Sequence, residues 1–138
     1  MKTAKADGAA KKNEKGTIAM AIAIGINGFG RIGRVIMRIL ANREDFEVCG
    51  INLRKADLDY MEYMLKYDTV FHGFPGTVEH DEEHLIVNGH KIRVFSETDA
   101  AQIPWSECGA EYIIESTGAF NTQEKGATHF VGGAKKVI

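Results

Sequence analysis

This sequence has few cysteines, a small net charge and no long apolar run, and each of these features argues against a class of protein. The 138 residues include 2 cysteines, too few for a disulfide-stapled scaffold. The 17 Lys and Arg oppose 19 Asp and Glu, so a net charge of −2 gives no general reason to expect nucleic acid as a partner. No window approaches the roughly 18 apolar residues of a membrane helix, so no membrane partner is predicted. What remains, 44% hydrophobic and 26% charged residues, is typical of one globular domain.

The first 17 residues differ in composition from the rest of the chain. They contain five lysines and no large apolar side chain other than Met1. Such a segment cannot bury enough apolar surface to offset its ordering entropy, so we predict a disordered, Lys-rich tail over residues 1–17. It has no apolar core like that of a secretory signal, and it lacks the Arg and Ser of a transit peptide. A processed remnant of an organellar transit peptide would nevertheless look much the same.

From Ile18 onward, apolar strands alternate with amphipathic helices. Residues 18–26 form a nearly unbroken apolar run, which is typical of a strand buried on both faces of a parallel sheet. Apolar residues at helical spacing follow over 35–40, and residues 46–51 indicate a second buried strand, which completes a right-handed βαβ unit. Further elements are a helix over 58–65, a strand over 112–115, a helix opened by the capping box of Asn121 and Glu124, and a strand that begins at 134.

One segment departs from this alternation. Residues 85–87 and 92–95 are short apolar runs, and Asn88-Gly89 between them suits a type I′ turn. An antiparallel hairpin within a parallel pattern marks an insertion at the edge of the sheet. We therefore predict an α/β fold over residues 18–138, doubly wound, with a mostly parallel sheet and an antiparallel hairpin insertion. Because the chain ends within the last predicted strand, we expect it to be the front half of a longer protein.

The segment Gly28-Phe-Gly30-Arg-Ile-Gly33 has the pattern G-x-G-x-x-G and lies between a predicted strand and a predicted helix. The first glycine allows the tight turn, the second lets a pyrophosphate approach the backbone, and the third lets the helix pack closely on the strand. The unpaired amides and the dipole at the start of the helix then hold the diphosphate. A Gly-rich turn without a ligand is the alternative, but within a complete βαβ unit the motif predicts dinucleotide binding and a Rossmann-type sheet.

The end of the second strand predicts which dinucleotide is bound. In this fold an acidic residue about 20 positions beyond the motif holds the ribose hydroxyls. Here the strand ends in Asn52, Leu53 and Arg54, and no carboxylate occurs before Asp57. An Arg at this place accommodates the 2′-phosphate of NADP. Arg54 and Lys55 are equally compatible with solvated loop charges, so both interpretations stay open.

The segment Ile26-Asn-Gly-Phe-Gly-Arg-Ile-Gly-Arg34 resembles the opening of phosphorylating glyceraldehyde-3-phosphate dehydrogenases. Further motifs of that family follow in the same order and register: Leu65-Lys-Tyr-Asp68, Gly76-Thr-Val78, Ile103-Pro-Trp105, Gly109-Ala-Glu-Tyr112, Glu115-Ser-Thr-Gly118 and Gly132-Gly-Ala-Lys135. The resemblance covers residues 22–138. It implies an NAD-binding Rossmann domain followed by a catalytic domain, and a homotetramer. Two free cysteines and no signal sequence indicate a reducing compartment, which is the cytoplasm or, after removal of a transit peptide, a plastid or other organelle.

The resemblance also assigns cofactor contacts. Residues 28 and 30–32 would lie against the pyrophosphate, Asn52 beside the adenosine ribose, and Thr117, Gly118 and Phe120 along the cleft towards the nicotinamide. The complete predicted cofactor-binding set is Asn27, Gly28, Phe29, Gly30, Arg31, Ile32, Gly33, Asn52, Leu53, Arg54, Thr98, Ser116, Thr117, Gly118 and Phe120.

Two positions depart from the family pattern. Leu53 stands where the family typically has Asp, and Thr98 stands where it has Arg in a Glu-Arg-Asp-Pro segment near the adenine. Loss of the carboxylate removes repulsion towards a 2′-phosphate and also removes hydrogen bonds to the ribose. We therefore expect NAD as the cofactor, with NADP tolerated.

No catalytic residue is predicted within this chain. The family's nucleophilic cysteine, in a Cys-Thr-Thr-Asn run, its histidine base and its phosphate-binding residues would all follow Ile138. Cys49 and Cys108 have no neighbouring base or helix N-terminus in the sequence, so both are interpreted as inert. The resemblance implies that the complete enzyme oxidises and phosphorylates glyceraldehyde 3-phosphate to 1,3-bisphosphoglycerate in glycolysis, through a thiohemiacetal, and that this part alone is inactive.

Three other functions are alternatives to this one. A relative that acts on erythrose 4-phosphate stays open because substrate choice lies downstream, and so does a free-standing dinucleotide-binding module. A nucleic-acid-binding protein has only the basic tail in its favour. The cluster of His80, Asp81, Glu82, Glu83 and His84 contains metal-ligating residue types, but its hairpin context favours a solvated polar turn, and no metal site is predicted.

Overall fold

The computed structural model describes residues 10–12, 18–67, 76–117 and 127–138. Its strands are β1 (Ala10–Lys12), β2 (Ile18–Met20), β3 (Ile22–Asn27), β4 (Phe46–Asn52), β5 (Val78–His80), β6 (His84–Val87), β7 (His90–Phe95), β8 (Tyr112–Glu115) and β9 (Lys136–Val137). Its helices are α1 (Arg31–Leu40), α2 (Leu58–Lys66), α3 (Trp105–Cys108) and the 3₁₀ segments Ala100–Gln102 and Ala127–Gly132. No helix in these described ranges is long and apolar enough to cross a membrane.

The main sheet has seven strands in the order β5-β6-β7-β4-β3-β8-β9. Strands β7, β4, β3, β8 and β9 run parallel to one another, whereas β6 pairs antiparallel with both β5 and β7 at one edge. From the central strand β3 the chain winds first to β4 on one side and later returns to β8 on the other. This change of direction opens a crevice at the carboxyl ends of the strands. The predicted doubly wound α/β fold is confirmed.

The predicted hairpin is also confirmed. Strands β6 and β7 pair antiparallel from His84 opposite Arg93 to Val87 opposite His90. The two turn residues have positive φ angles, 53° at Asn88 and 81° at Gly89, as a type I′ turn requires. Strand β5 adds to β6, so the antiparallel part of the sheet forms one edge.

The chain around Ile18 differs from the sequence prediction in one respect. The apolar run is divided: β3 enters the main sheet, whereas β2 pairs antiparallel with β1 as a separate two-stranded sheet. Strand β1 lies within the predicted Lys-rich tail. Backbone groups supply the hydrogen bonds of a ladder whatever the side chains, so low apolar content alone does not exclude such pairing. The division into a tail over 1–17 and a domain over 18–138 remains a prediction.

Only part of the last predicted helix lies within the described residues. Its expected capping residues Asn121 and Glu124 lie outside the described residues. The described part, Ala127–Gly132, is a 3₁₀ helix, and Gly133 follows with a φ of 112°. Gly132 packs against the backbone of Ile103, since a Cβ at Gly132 would lie 1.9 Å from the Ile103 carbonyl oxygen.

The main sheet is covered on both faces, as expected for parallel strands. One core includes Ile26 and Ile51 beneath α1 and α2. The other surrounds Trp105, which is fully buried and lies against the glycines of the central strands. A Cβ at Gly25 would lie 2.6 Å from the Trp105 ring, so the close approach of this indole depends on glycine in β3.

An ionic cluster joins β5 to α2. His80 Nδ1 lies 2.6 Å from Glu62 Oε1, and His80 Nε2 lies 3.1 Å from Asp59 Oδ1. Lys66 Nζ binds the other Glu62 oxygen at 2.9 Å. The hydrogen bond to Glu62 raises the pKa of His80 above its usual range, and His80 and Lys66 lower the pKa of Glu62. The charged form of the imidazole is therefore stabilised by folding.

We expect this cluster to make stability depend on pH. Because the pKa of His80 is higher in the folded than in the unfolded chain, its contribution is complete below about pH 6.5 and disappears as pH rises through the raised folded value. His80→Gln should remove this loss, which we expect to be about 0.5 kcal/mol for a solvated pair. Urea unfolding from pH 5.5 to 8.5 measures it, with His84→Gln on β6 as the matched control. A His80→Gln slope equal to that of the parent would contradict the assignment.

Candidate functional site

An open cavity of about 380 Å³ lies at the carboxyl ends of β3, β4, β7 and β8. Parallel strands deliver their ends to the same edge, so residues from four distant parts of the chain meet here. The lining residues are Asn27, Gly28, Phe29, Gly30, Asn52, Leu53, Arg54, Glu97, Thr98, Ala100, Ile103, Ser116 and Thr117.

The glycine loop forms one wall of this cavity. Gly28 has a φ of 101°, a conformation that favours glycine, and its amide donates to the Asn52 carbonyl at 2.8 Å. Gly33 lies so close to the loop that a Cβ there would be 2.3 Å from the Gly28 oxygen. A Cβ at Gly30, by contrast, would have no protein atom within 4 Å. The loop is thus packed tightly against α1 and is open to the cavity side at Gly30.

The start of α1 provides the chemistry that an anion requires. The N-cap residue Gly30 has no side chain to cap the helix, and the first turn contains no acidic residue. The first amides of a helix have no intrahelical acceptor, and the positive end of the dipole favours negative charge. Arg31 is exposed beside these amides. Glycine, uncapped amides and a cation together fit the pyrophosphate of a dinucleotide.

Two buried asparagines join the strand ends beneath the cavity. Asn52 Nδ2 donates to Asn27 Oδ1 at 2.8 Å and to the Glu97 carbonyl at 3.0 Å, and Asn52 Oδ1 accepts from the Glu97 amide at 2.9 Å. Asn27 Nδ2 donates to Glu115 Oε1 at 2.9 Å. The side chain of Asn52 is therefore used within the protein, where it fixes the backbone after β7 against the end of β4.

A second polar network extends from the cavity into the core. Glu115 Oε2 accepts from the Thr117 hydroxyl at 2.6 Å, and Glu115 Oε1 lies 2.6 Å from His129 Nε2. The indole Nε1–H of Trp105 donates to His129 Nδ1 at 3.1 Å. An indole only donates, so Nδ1 is the acceptor and Nε2 carries the proton that His129 donates to Glu115. The imidazole is fully buried between them.

The protonation of Glu115 follows from its surroundings. Its side chain is only 6% exposed. Burial alone would raise the pKa of Glu115, but hydrogen bonds from His129, Thr117 and Asn27 outweigh that effect and hold the pKa below its usual range. Glu115 is therefore an ionised carboxylate that holds Thr117 at the cavity wall.

The structure brings most of the predicted cofactor residues together. Arg31, Ile32 and Gly33 lie in the first turn of α1 beside the cavity. Gly118 and Phe120 lie outside the described residues. All remaining members of the predicted set line the cavity: Asn27, Gly28, Phe29, Gly30, Asn52, Leu53, Arg54, Thr98, Ser116 and Thr117.

Three residues that line the cavity are not in the set predicted from the sequence: Glu97, Ala100 and Ile103. Glu97 comes shortly after β7, which is parallel to β4. Its position at the carboxyl edge of the sheet could therefore have been predicted from the sequence. Ala100 and Ile103 belong to the core around Trp105, and only tertiary packing brings them to the cavity.

The acidic and histidine-rich segment 80–84 forms ion pairs. His84 Nδ1 lies 3.0 Å from Asp81 Oδ1, while His80 faces Glu62 and Asp59. Within the part of the chain that the structure describes, no group of three or more His, Cys, Asp or Glu is placed to hold a metal ion.

The sequence matches a family model over residues 22–123. The model's description is "Glyceraldehyde 3-phosphate dehydrogenase, NAD binding domain". The chain belongs to this family. The cofactor of this NAD-binding domain is accordingly NAD, and both the predicted family and the predicted cofactor are confirmed.

Individual relatives agree with that assignment. A glyceraldehyde-3-phosphate dehydrogenase of Aspergillus niger is 55% identical over 119 residues, which is 86% of this chain and 35% of the relative. One of Monascus purpureus is 54% identical over 115 residues, 83% of this chain and 34% of the relative. One of Lentinula edodes is 54% identical over 119 residues, again 86% and 35%. The NAD-binding domain thus spans about a third of the length of the curated relatives it matches.

Proposed function

We propose that this domain provides the NAD site of an enzyme that oxidises and phosphorylates glyceraldehyde 3-phosphate to 1,3-bisphosphoglycerate. The observation that carries the proposal is the glycine loop and uncapped start of α1 at the switch point of the sheet. NAD held at this site would supply the hydride acceptor of the oxidation. The nucleophilic cysteine, the base and the sites for substrate and inorganic phosphate belong to a further domain, so this chain alone is expected to bind the cofactor without oxidising aldehyde.

The chain's own residues bind and orient the dinucleotide. The amides of Arg31 and Ile32, together with the Arg31 guanidinium, hold the pyrophosphate over the open face of Gly30. Leu53, Arg54 and Thr98 lie at the adenosine end, and Asn52 fixes the backbone there. Thr117, held by Glu115, extends the wall towards the nicotinamide.

We further propose that NADP is accepted beside NAD. Leu53 is half-buried, packs against the core under α1 and α2, and offers no carboxylate to the ribose. Arg54 is exposed at the rim of the same cavity, where a guanidinium can form two hydrogen bonds to a phosphate. A 2′-phosphate at this place would therefore meet a cation and no carboxylate at position 53.

Calorimetric titration with NAD and NADP at one ionic strength tests both proposals. We expect the two affinities to lie within about tenfold of each other, roughly 1.4 kcal/mol. Leu53→Asp should shift the preference towards NAD by more than about tenfold, because a carboxylate binds the ribose hydroxyls and repels a 2′-phosphate. Arg54→Gln should weaken NADP selectively, and Lys55→Gln is the matched control for loss of one positive charge.

The outcomes separate the two proposals. If NAD binds more than about tenfold better than NADP in the parent, NADP acceptance is refuted while the NAD site stands. If Lys55→Gln weakens NADP as much as Arg54→Gln, the effect is general electrostatics and Arg54 does not contact the phosphate. If neither dinucleotide binds, the NAD site itself is refuted.

The family resemblance supports an oligomeric assembly of the whole protein, and the two free thiols support a reducing compartment. We propose a homotetramer in the cytoplasm, or in a plastid or other organelle after removal of a transit peptide. The adjacent apolar side chains of Phe130 and Val131 are exposed, and they support contact with further protein at this place. Sedimentation of the full-length protein tests the tetramer, and imaging of a tagged full-length protein tests the location.

A further inference from the structure

Two cysteines that are distant in the sequence meet in the core around Trp105. Cys49 in β4 and Cys108 at the end of α3 are 59 positions apart, yet their sulfurs are 3.7 Å apart. Both are free thiols, the first buried and the second partly exposed. Their interpretation as inert rested on the lack of a reactive neighbour in the sequence. The fold gives each thiol the other as its neighbour.

The close approach is built into the fold. A Cβ at Gly50 would lie 2.7 Å from Cys108 Sγ, so this thiol can lie against β4 only because position 50 is glycine. Cys108 Sγ is also 3.3 Å from the Trp105 carbonyl, and Cys49 Sγ is 3.6 Å from the Ile24 carbonyl. The single S–H of Cys49 can be donated either to the Ile24 carbonyl or to the Cys108 sulfur, and in both cases the two sulfurs are in contact, so the pair is preorganised.

The two thiols are electrostatically unequal. The hydrogen bond from Cys49 to the Cys108 sulfur lowers the pKa of Cys108, and the backbone at Ala110 and the charge of Arg93 on β7 act in the same direction. The same contact, together with burial and the charge of Glu47, raises the pKa of Cys49. Cys108 therefore ionises first. The thiolate is the form that attacks disulfides.

We propose that Cys49 and Cys108 form a dithiol that a small-molecule disulfide oxidises to an intramolecular disulfide joining β4 to α3. The Cys108 thiolate attacks one sulfur of the reagent and releases the first reagent thiolate, which leaves a mixed disulfide on Cys108. Cys49 loses its proton to solvent, attacks the Cys108 sulfur and releases the second reagent thiolate. The protein loses two electrons and two protons, and the reagent is reduced to two thiols.

The required movement is small. A disulfide bond is about 2.05 Å long, so the sulfurs must approach by roughly 1.7 Å from their contact distance. Rotation about the two Cα–Cβ bonds shares this movement between the side chains. Strand β4 and helix α3 can keep the neighbours against which they pack.

Equilibration of the chain with oxidised and reduced glutathione tests the proposal. After acid quenching, alkylation and digestion, mass spectrometry should find the Cys49 and Cys108 peptides linked, two hydrogen atoms lighter and without retained glutathione. The ratio of disulfide to dithiol should be at least about tenfold higher in the folded chain than in urea, because folding raises the effective concentration of one thiol at the other. Equal ratios, separate glutathione adducts, or disulfide-linked dimers would overturn it.

Single-cysteine variants test the order of attack. Cys49→Ser should accumulate glutathione on Cys108, because no second thiol resolves the mixed disulfide. Cys108→Ser should react at Cys49 at least about tenfold more slowly, because Cys49 is buried whereas Cys108 is partly exposed to the reagent. Circular dichroism verifies that both variants are folded. Equal rates of glutathione capture by the two variants would refute Cys108 as the attacking thiol.

Discussion

Replacement of Gly30 by Ala is expected to weaken NAD binding by more than about tenfold and to leave folding nearly unchanged. The backbone at Gly30, with φ −78° and ψ −159°, suits any residue, and a Cβ there meets no protein atom within 4 Å. The added methyl group would instead occupy the space through which a pyrophosphate approaches the start of α1. The loss of stability should stay below about 1 kcal/mol, the usual range at an N-cap. Calorimetry with NAD and urea unfolding measure the two effects.

Gly33→Ala is the matched variant, and in it we expect a large loss of stability in addition to the loss of NAD binding. Its Cβ would lie 2.3 Å from the Gly28 oxygen, so α1 and the loop must separate. We expect a loss of about 3 kcal/mol in the free energy of unfolding, together with loss of NAD binding. Unchanged NAD affinity in Gly30→Ala would mean that the pyrophosphate lies elsewhere. Parental stability in Gly33→Ala would mean that the close contact between helix and loop is not needed.

These two glycines illustrate what a sequence predicts well. The glycine loop and the Asn88-Gly89 turn are local: a few adjacent residues need particular φ angles or close approaches, and only certain residue types allow them. The parallel order of the strands follows from equally general rules of connection. The place of the cavity, at the carboxyl ends of the strands, could therefore be predicted before any contact was known.

The polar contacts behind the cavity could not be predicted in this way. Asn27 and Glu115 are hydrogen-bonded although 88 positions separate them, and Asn52 reaches the backbone of Glu97 across 45. No periodicity or spacing encodes such pairs, because they depend on which strand ends become neighbours. The same reason explains why Cys49 and Cys108 appear unrelated in the sequence. Asn52, which the resemblance places beside the ribose, lines the cavity, and its side-chain amide is hydrogen-bonded to Asn27 and to the backbone of Glu97.

The network of Glu115, His129 and Trp105 carries the other large expected effect. His129→Ala should lower the free energy of unfolding by about 3 kcal/mol, because it leaves a buried indole N–H without its acceptor and takes from the Glu115 carboxylate its donor at 2.6 Å. Urea unfolding measures the loss. Trp105 is the one tryptophan of the chain, so its fluorescence reports directly on the surroundings of the altered residue.

Two control variants distinguish this network from simple loss of packing. His129→Gln retains a carbonyl oxygen that can accept from Trp105 and an amide that can donate to Glu115, so it should restore at least half of the lost stability. Lys135→Ala removes an exposed ion pair with Glu111 and should cost less than about 1 kcal/mol. If His129→Gln were as unstable as His129→Ala, the stabilisation would come from the shape of the imidazole. If His129→Ala also weakens NAD binding and His129→Gln restores it together with stability, the buried histidine is connected through Glu115 to Thr117 at the cofactor wall.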